Sequence, residues 1–222
     1  MFELLAELLF PRRCLGCARR GTLLCLACRE ELPYLRQVCP RCALPRGTSR
    51  ECRGCRRLSP ALSSLRAVCA YEGAARAAVH SLKFRGGRNV APLVGELLRE
   101  HIATQPLVAD VVVPVPISSQ RRRERGYNQA ELLGVEILPI VRGVLRTDIL
   151  DRHNRPAQQR LNAADRATNL TGAMTARGRV DGQRVLLVDD VATTGATLSA
   201  CADVLSGAGA RDVRALVFAR DL

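Results

Sequence analysis

The sequence predicts an α/β fold, a parallel sheet flanked by helices, with a small cysteine-rich metal-binding module at its N-terminal end. Short apolar runs alternate with amphipathic segments over residues 66–222, which is typical of the strands and crossover helices of a parallel sheet. Residues 185–188 are four apolar residues in succession, as expected for a strand buried on both faces. Eight of the ten cysteines form four C-x-x-C pairs within the first 60 residues, a spacing typical of metal sites.

The four cysteine pairs predict two structural zinc ions. Two C-x-x-C pairs supply the four thiolates of one tetrahedral site, which leaves no open position for a substrate. The simplest pairing is sequential, although a crossed pairing also fits the spacing. A disulfide framework is the alternative, but it conflicts with the cytoplasmic location that we expect. The predicted ligands are Cys14, Cys17, Cys25, Cys28, Cys39, Cys42, Cys52 and Cys55.

We assign residues 1–60 to the zinc-ribbon module and residues 66–222 to the sheet domain, with a boundary near Pro60. Residues 1–10 are expected to form a short amphipathic helix, too short to span a bilayer. No other run approaches the length of a span, so we expect a cytoplasmic protein that does not bind membranes. Cys69 and Cys201 lie in apolar contexts outside the pairs and are expected to be buried.

The chain carries a formal net charge of +13, which favours polyanionic partners such as nucleic acid and nucleotides. Lys83 is the single lysine among 34 basic residues, so the coding bias of a GC-rich genome explains the ratio of arginine to lysine, but not the excess over acidic residues. Aromatic residues make up only 3% of the chain, so a platform for stacking bases is poorly supplied. The arginines of the zinc module are therefore either phosphate contacts or a solvated face.

The sheet domain is expected to begin with an edge strand at residues 65–71 and a helix at residues 72–82, where apolar residues recur at helical spacing. Residues 118–129 read as an arginine-rich loop, and Pro139 should stop or bend a helix over residues 131–141. Residues 151–170 are long, polar and without periodicity, which is typical of a functional or disordered loop. The other expected elements are a helix at 90–102, strands at 110–116, 144–150, 171–176 and 184–188, a helix at 196–205 and a last strand at 213–219.

Residues 185–197 combine a buried strand, two carboxylates and a loop of small and hydroxyl-bearing residues. Asp189 and Asp190 lie at the C-terminal end of the strand, where open α/β sheets bind their ligands. Gly195 can take any backbone angle, and the helix that follows offers free N–H groups and a dipole to an anion. These residue types suit a sugar phosphate, whereas the lack of a Gly-Lys pair excludes a P-loop. The alternative is an ordinary buried strand that ends in a solvated Asp pair.

This stretch resembles the loop with which type I phosphoribosyltransferases bind phosphoribosyl pyrophosphate (PRPP), and the match covers all thirteen positions. The backbone amides and hydroxyls of the loop would hold a phosphate, and the two carboxylates would accept hydrogen bonds from two vicinal hydroxyls. The predicted phosphate-binding residues of the loop are Ala192, Thr193, Thr194, Gly195, Ala196 and Thr197.

Most of the chain is similar to the ComF family of phosphoribosyltransferase-like proteins with an N-terminal double zinc ribbon. The motifs that carry this resemblance are the C-x-x-C pairs, HSLKFRG at 80–86, PVP at 114–116, RGYNQ at 125–129, residues 166–169, the PRPP loop and the terminal Ala219-Arg220. Residues 152–161 match loosely, because Arg155 stands where a threonine is usual in the family. The resemblance implies a type I phosphoribosyltransferase-like sheet.

By similarity to type I phosphoribosyltransferases, the loop after Pro116 would hold pyrophosphate and residues 151–170 would form a hood that excludes water. Arginines would stabilise the negative charge of the leaving pyrophosphate, and Mg²⁺ would bridge it to the ribose oxygens. The residues expected to be catalytic are Asp189, Asp190 and Arg125. The basic residues expected to bind phosphates are Lys83, Arg121, Arg122 and Arg123.

Two functions fit this resemblance. The first is transfer of the phosphoribosyl group from PRPP to an unidentified acceptor. The second is a non-catalytic protein that binds PRPP or a nucleotide and contacts single-stranded DNA, because ComF proteins are associated with DNA uptake in transformable bacteria. Thr193 stands where 6-oxopurine enzymes have an aspartate that interacts with the base, which argues against hypoxanthine or guanine as the acceptor.

Overall fold

The computed structural model describes residues 12–45, 52–84, 87–153 and 174–222. Numbered over this part of the chain, the helices are α1 (Leu26–Glu30), α2 (Gly73–Lys83), α3 (Gly87–Thr104), α4 (Ser119–Arg125), α5 (Gln129–Val141) and α6 (Ala196–Gly207). The strands are β1 (Ser64–Ala70), β2 (Val111–Pro114), β3 (Val144–Leu145), β4 (Leu150–Arg152), β5 (Met174–Ala176), β6 (Arg184–Ala192) and β7 (Asp212–Arg220). The helix expected at residues 1–10, most of the expected hood and the match at 166–169 lie outside the described residues.

Five strands form one sheet in the order β1-β7-β6-β2-β3, and every neighbouring pair is parallel. This arrangement confirms the predicted fold class, and it places β1 at an edge of the sheet as expected. Strands β4 and β5 form a separate antiparallel pair. The C-terminal ends of β2 and β6 lie side by side, so the segments that follow them share one edge of the sheet.

Helices cover both faces of the sheet because its central strands are apolar on both faces. On β6, Val185 and Leu187 pack in the core that contains α6. Leu186 and Val188 pack in the core that contains α2, α3 and α5. Since successive side chains alternate across a strand, the residues at the end of β6 also face the two layers in turn.

Strand β6 is longer than predicted, because it continues past its apolar run to Ala192. Its pairing with β7 extends as far as Ala192, which lies opposite Arg220. Backbone hydrogen bonding therefore carries the strand through Asp189 and Asp190, where side-chain polarity had suggested that it ends. Only residues 193–195 separate β6 from α6.

The prediction of a loop over residues 118–129 is wrong for its first half, which forms α4. The Ser118 side chain caps this helix by accepting a hydrogen bond from the Arg121 N–H at 3.3 Å. Gly126 ends the helix in the left-handed conformation, with φ of 77°. Arginine has a good helix propensity, but α4 buries no residue, so it has no apolar periodicity to reveal it.

Two further elements differ from expectation. Pro139 lies inside α5, which ends two residues later, so the missing N–H affects only its last turn. The single strand expected at residues 144–150 is divided, since β3 joins the main sheet and β4 pairs with β5.

Cys69 and Cys201 are fully buried, as predicted. Among the helices of the described residues, none has both the length and the apolar character needed to cross a bilayer.

The cysteine-rich segment packs against both layers of the sheet domain. Cys39 and Cys42 lie in the same core as α6. Leu32 lies in the opposite core, and Arg29 donates hydrogen bonds to Glu96 and Glu100 on α3. The division at residues 60–66 stays a prediction, and these shared cores join the two parts into one packed unit.

Candidate functional site

The eight paired cysteines form two groups of four. The first cysteine group is Cys14, Cys17, Cys25 and Cys28, and the second cysteine group is Cys39, Cys42, Cys52 and Cys55. The pairing is therefore sequential. Within each group the sulfur atoms all lie within 4.8 Å of one another.

The sulfur positions fit one zinc ion in each group. In the second group the Sγ atoms of Cys39 and Cys55 are 3.4 Å apart, as are those of Cys42 and Cys52. A zinc ion with four Zn–S bonds of about 2.3 Å needs sulfur–sulfur distances of about 3.8 Å. A site closed by four thiolates leaves no position for a substrate, so both sites are structural.

The candidate anion site is the phosphate loop, defined as residues 192–197, which joins β6 to α6. Gly195 has φ of 82°, which favours glycine, and a Cβ atom there would lie 2.5 Å from Cδ2 of Leu58, so a larger residue would also have to displace that side chain. Thr193 and Thr194 are exposed, and Thr194 Oγ1 accepts a hydrogen bond from the Ala196 N–H at 3.2 Å. The Thr197 and Leu198 amides that follow in the first turn of α6 have no acceptor within the helix, so they are available to a bound anion.

Asp190 lies next to this loop and is 2% exposed. It belongs to the face of β6 that packs on α2 and α5, where Lys83 Nζ lies 3.4 Å from its Oδ2 atom. Oδ2 is buried and accepts no hydrogen bond from any described residue. Because buried carboxylate oxygens normally have hydrogen-bond donors, this atom, which has Lys83 as its ion-pair partner, is a candidate acceptor for a further donor.

Asp189 faces the opposite layer. Its Oδ1 atom accepts a hydrogen bond from the Asp190 N–H at 2.8 Å. Arg152 on β4 and Cys201 on α6 interact electrostatically with this carboxyl group. The structure therefore places the two acids on different faces of one strand, and both carboxyl groups belong to the strand end beside the phosphate loop.

Burial raises the pKa of both carboxyl groups above the ordinary range of aspartate. The charge of Asp190 raises the pKa of Asp189 further, whereas the Lys83 ammonium group opposes the rise for each of them. The ionised forms are thus held at a cost in free energy. A ligand that brings hydrogen-bond donors or a cation would stabilise them.

Tyr127 fixes the end of α2, which carries Lys83. Its hydroxyl oxygen lies 2.9 Å from the carbonyl oxygen of Leu82 and 2.7 Å from that of Phe84. A Cβ atom on Gly87 would lie 2.1 Å from this hydroxyl, so the close approach requires glycine. The Y of the R-G-Y-N-Q motif therefore holds the single lysine of the chain beside Asp190.

Asn128 and Gln129 complete the motif on α5. The Asn128 amide nitrogen donates to the Val115 carbonyl oxygen at 3.0 Å, which ties the start of α5 to the end of β2. Gln129 accepts a hydrogen bond from Arg125 Nη1 at 3.0 Å and interacts with Asp190. Arg125 thereby comes close enough to lower the pKa of Asp190.

The arginines of α4 have different surroundings. Arg121 and Arg123 are exposed, and Arg121 interacts electrostatically with Arg152. Arg122 forms an ion pair with Glu131 on α5, so part of its charge is already compensated. Lys83 and Arg125 are brought to the acid pair. The role of Lys83, Arg121, Arg122 and Arg123 in phosphate binding and the catalytic role of Arg125 stay predictions.

Arg220 has a role that sequence reasoning missed. It is the last residue of β7 and is 2% exposed. Its guanidinium group donates hydrogen bonds to the carbonyl oxygens of Ala192, at 2.9 Å, and Thr193. It also donates to the carbonyl oxygen of Cys42 at 3.3 Å. An arginine that ends an apolar strand was the available signal, but its partners depend on the register of β7 against β6.

Comparison with known proteins identifies both parts of the chain. The phosphoribosyl transferase domain family matches residues 87–222, which contain the phosphate loop and the acid pair. The chain belongs to this phosphoribosyltransferase family. The double zinc ribbon domain family matches residues 5–56, which contain both cysteine groups.

Curated relatives match this chain over most of their length. The DNA utilization protein YhgH of Salmonella typhi is 30% identical over 90% of this chain and 91% of its own. The competence protein ComFC of Bacillus subtilis is 30% identical over 78% of this chain and 74% of its own. Competence protein F of Haemophilus influenzae is 28% identical over 95% of this chain and 98% of its own. These relatives confirm the resemblance of this phosphoribosyltransferase-like chain to the ComF family.

Proposed function

We propose that this protein binds PRPP with Mg²⁺ at the phosphate loop and transfers its phosphoribosyl group to an acceptor. The observation that carries the proposal is the buried Asp190 Oδ2 atom, which accepts no hydrogen bond from the described residues and lies beside the loop. A carboxylate of this kind next to helix N–H groups fits a ligand that carries both hydroxyl donors and a phosphate.

The phosphate of PRPP would lie on the amides of residues 193–197 and the hydroxyl groups of Thr193 and Thr194. The ribose hydroxyls would donate hydrogen bonds to Asp190 Oδ2 and to the Asp189 carboxylate. Such donors stabilise the ionised carboxylates, which burial disfavours in the free protein. Binding energy at the phosphate and the hydroxyls would thereby orient the ribose C1 atom.

In the transfer step, the bond between ribose C1 and the pyrophosphate oxygen breaks, and its electron pair leaves with pyrophosphate. The acceptor supplies the electron pair of the new bond to C1. Lys83 and Arg125 act on the Asp190 carboxyl group and Arg121 lies near Arg152, so these cations would stabilise the charge that develops on pyrophosphate.

Asp189 and Asp190 would offer carboxylate oxygens to Mg²⁺, a cation that prefers oxygen ligands and keeps several of its waters. When bound, Mg²⁺ would supply further positive charge to offset the charge of pyrophosphate.

Calorimetric titration with PRPP and Mg²⁺ tests the site. We expect Asp190→Asn and Thr194→Ala each to weaken binding by about 1–3 kcal/mol, because each removes a partner of a buried ligand group. Thr104→Ala, at the end of α3, is the matched control and should bind PRPP as the wild type does. Unchanged affinity in both loop variants would remove the phosphate loop from the site.

We propose contact with single-stranded DNA as a second candidate function. Two observations favour it: the net charge of +13, and relatives whose names refer to DNA utilization and competence. Arg13, Arg19 and Arg20 are exposed around the first cysteine group, where they are accessible to phosphates.

A gel-shift titration at several salt concentrations tests this candidate. Contacts with phosphates predict a logarithmic salt slope of about −0.7 for each phosphate neutralised on a single strand. Replacing Arg12, Arg13, Arg19 and Arg20 with alanine should flatten the slope and leave PRPP binding intact. The absence of any DNA complex at low salt would exclude this candidate and leave the enzyme proposal standing.

A further inference from the structure

We propose that Arg220 is a positioning residue that couples the second cysteine group to the phosphate loop. On this account, zinc in the second group keeps the loop in its anion-binding shape, whereas zinc in the first group does not. The inference rests on the proposed function, because it concerns the site proposed above for PRPP.

The guanidinium group of Arg220 joins three backbone carbonyl groups from two distant parts of the chain. Its hydrogen bonds reach Cys42, which belongs to the second cysteine group, and both Ala192 and Thr193, which begin the phosphate loop. A planar guanidinium group can hold several acceptors in one fixed arrangement. The position of the Cys42 backbone is thus linked directly to the position of the loop.

The loop carbonyl groups matter because they set the direction of the loop amides. The peptide unit is planar and trans, so the carbonyl group of one residue points away from the N–H group of the next. Arg220 holds the Ala192 and Thr193 carbonyl oxygens on the interior side. The N–H groups of Thr193 and Thr194 are thereby turned to the outer side, where the anion would bind.

A second set of contacts joins the same cysteine group to α6. Leu58, which follows Cys55 by three residues, fills the space where a side chain on Gly195 would lie. The Ser59 N–H donates to Ser199 Oγ at 3.0 Å, and its hydroxyl group donates to Asp203. The segment after the second cysteine group therefore lies along the first two turns of α6.

Arg41 ties that segment back to the cysteine group. Its guanidinium nitrogens donate to the carbonyl oxygen of Cys55 at 3.1 Å and to that of Ser59 at 3.3 Å. Arg41, Cys55 and Ser59 are therefore joined by hydrogen bonds as well as by the metal that the four cysteines of the second group fit. Loss of that metal would release Cys42 and Leu58 together.

The charge of Arg220 also supports its coupling to the second cysteine group. A zinc ion held by four thiolates carries a formal charge of −2, so it is an anionic neighbour for a buried guanidinium group. Removing zinc would leave the buried cation less compensated and loosen its hold on the loop.

The first cysteine group supplies a matched control. It is anchored to α3 through Arg29, Glu96 and Glu100, on the opposite face of the sheet from α6. Cys25→Ser therefore removes a ligand from the first group in the same way that Cys52→Ser does from the second. The two variants differ in which layer of the protein loses its metal.

The experiment measures zinc content, PRPP affinity and amide hydrogen exchange in Cys52→Ser, Cys25→Ser and Arg220→Lys. The reporter is the Asp221 N–H, which donates to the Ala192 carbonyl oxygen at 2.9 Å. The Val115 N–H, which donates to Val188 at 2.9 Å, is the reference on the other side of β6. Exchange that rises at Asp221 but not at Val115 reports local loosening and not global unfolding.

We expect Cys52→Ser to lose one equivalent of zinc, to bind PRPP about tenfold or more weakly and to exchange faster at Asp221. Arg220→Lys should give the same two losses, in PRPP affinity and in protection at Asp221, while both zinc ions stay bound. A lysine has one ammonium nitrogen, whereas Arg220 reaches Cys42 with Nε and the loop with Nη1. Cys25→Ser should lose one equivalent of zinc with PRPP affinity and Asp221 exchange unchanged.

Unchanged Asp221 exchange in both Cys52→Ser and Arg220→Lys would overturn the inference, and so would equal effects of the two cysteine variants. If a variant fails to fold, stepwise removal of zinc from the wild type with a chelator gives the same readouts. Failure of the proposed function is distinguishable, because it appears as a wild type that does not bind PRPP, whereas the exchange readout requires no ligand.

Discussion

Replacing Lys83 with methionine should destabilise the protein in a way that depends on pH. Lys83 Nζ lies 3.4 Å from Asp190 Oδ2, and Asp190 is 2% exposed. Methionine keeps most of the side-chain volume and removes the charge. The buried carboxyl group of Asp190 then lacks its ion-pair partner and must either stay ionised in an apolar environment or take up a proton.

The cost of protonating the Asp190 carboxyl group is the upper limit of the loss in the free energy of unfolding. From the ordinary aspartate pKa of 3.8, keeping the carboxyl group protonated costs about 4 kcal/mol at pH 7 and about 1.6 kcal/mol at pH 5. Burial already raises the pKa of Asp190 in the wild type, so part of this cost is present before the change. We therefore expect Lys83→Met to lower the free energy of unfolding by about 1–3 kcal/mol at pH 7 and by less at pH 5.

The sign of this pH dependence follows from the direction in which folding shifts the pKa of Asp190. A carboxyl group whose pKa is raised by folding contributes its full stability below 3.8 and loses it as the pH rises through its native value. Lys83→Met raises the pKa of Asp190 in the folded protein further. The difference in the free energy of unfolding between the variant and the wild type should therefore widen from pH 5 to pH 8.

Urea unfolding of the wild type, Lys83→Met, Asp190→Asn and the double variant at several pH values measures this effect. Asp190→Asn in the Lys83→Met background should restore most of the lost stability and remove the pH dependence. A loss that is the same at pH 5 and pH 8, or no rescue by asparagine, would refute the reasoning.

Three further outcomes are expected. Elemental analysis of protein purified without added metal should find two zinc ions per chain, and a value near one would mean that one cysteine group is degenerate. Gly195→Ala should cost about 2–4 kcal/mol in urea unfolding, from its φ of 82° and its overlap with Leu58, whereas Gly182→Ala, with φ of 68° and no atom within 4 Å, should cost about 1–2 kcal/mol. Equal losses of stability in Gly195→Ala and Gly182→Ala would show that the contact with Leu58 adds nothing to the cost. Arg184 holds the pKa of Asp110 at about 2, so stability from this pair should be lost as the pH falls from 3.8 through 2. Asp110→Asn should lack that loss of stability at acid pH. If its stability falls at acid pH as that of the wild type does, the role given to this pair is wrong.

The parallel sheet and the cysteine groups could be predicted because each leaves a local pattern. Four apolar residues before Asp189 can be buried only in a strand covered on both faces, and the structure places them there. Two successive C-x-x-C pairs supply the four thiolates of one zinc site within a short stretch of chain, so the sequence itself indicates the site. The sequential pairing of the cysteines needed the structure, since both pairings fit the same spacing.

Other features depend on contacts between distant segments. Helix α4 has no buried side chain, so no apolar periodicity distinguishes it from a loop. The position of Lys83 beside Asp190 depends on Tyr127, which holds the end of α2 from α5. Arg220 acquires its partners only when β7 pairs with β6 and the second cysteine group packs on α6.

The proton balance of PRPP binding tests the central proposal most directly. Titrating the wild type with PRPP and Mg²⁺ at pH 7, in two buffers that differ in their heat of protonation, measures the affinity and the number of protons exchanged. Burial raises the pKa of Asp189 and Asp190 in the free protein, and hydroxyl donors with Mg²⁺ would lower it. The account predicts one PRPP bound per chain, a requirement for Mg²⁺, and release of protons to the buffer. No binding of PRPP, or binding with identical heats in the two buffers, would contradict it.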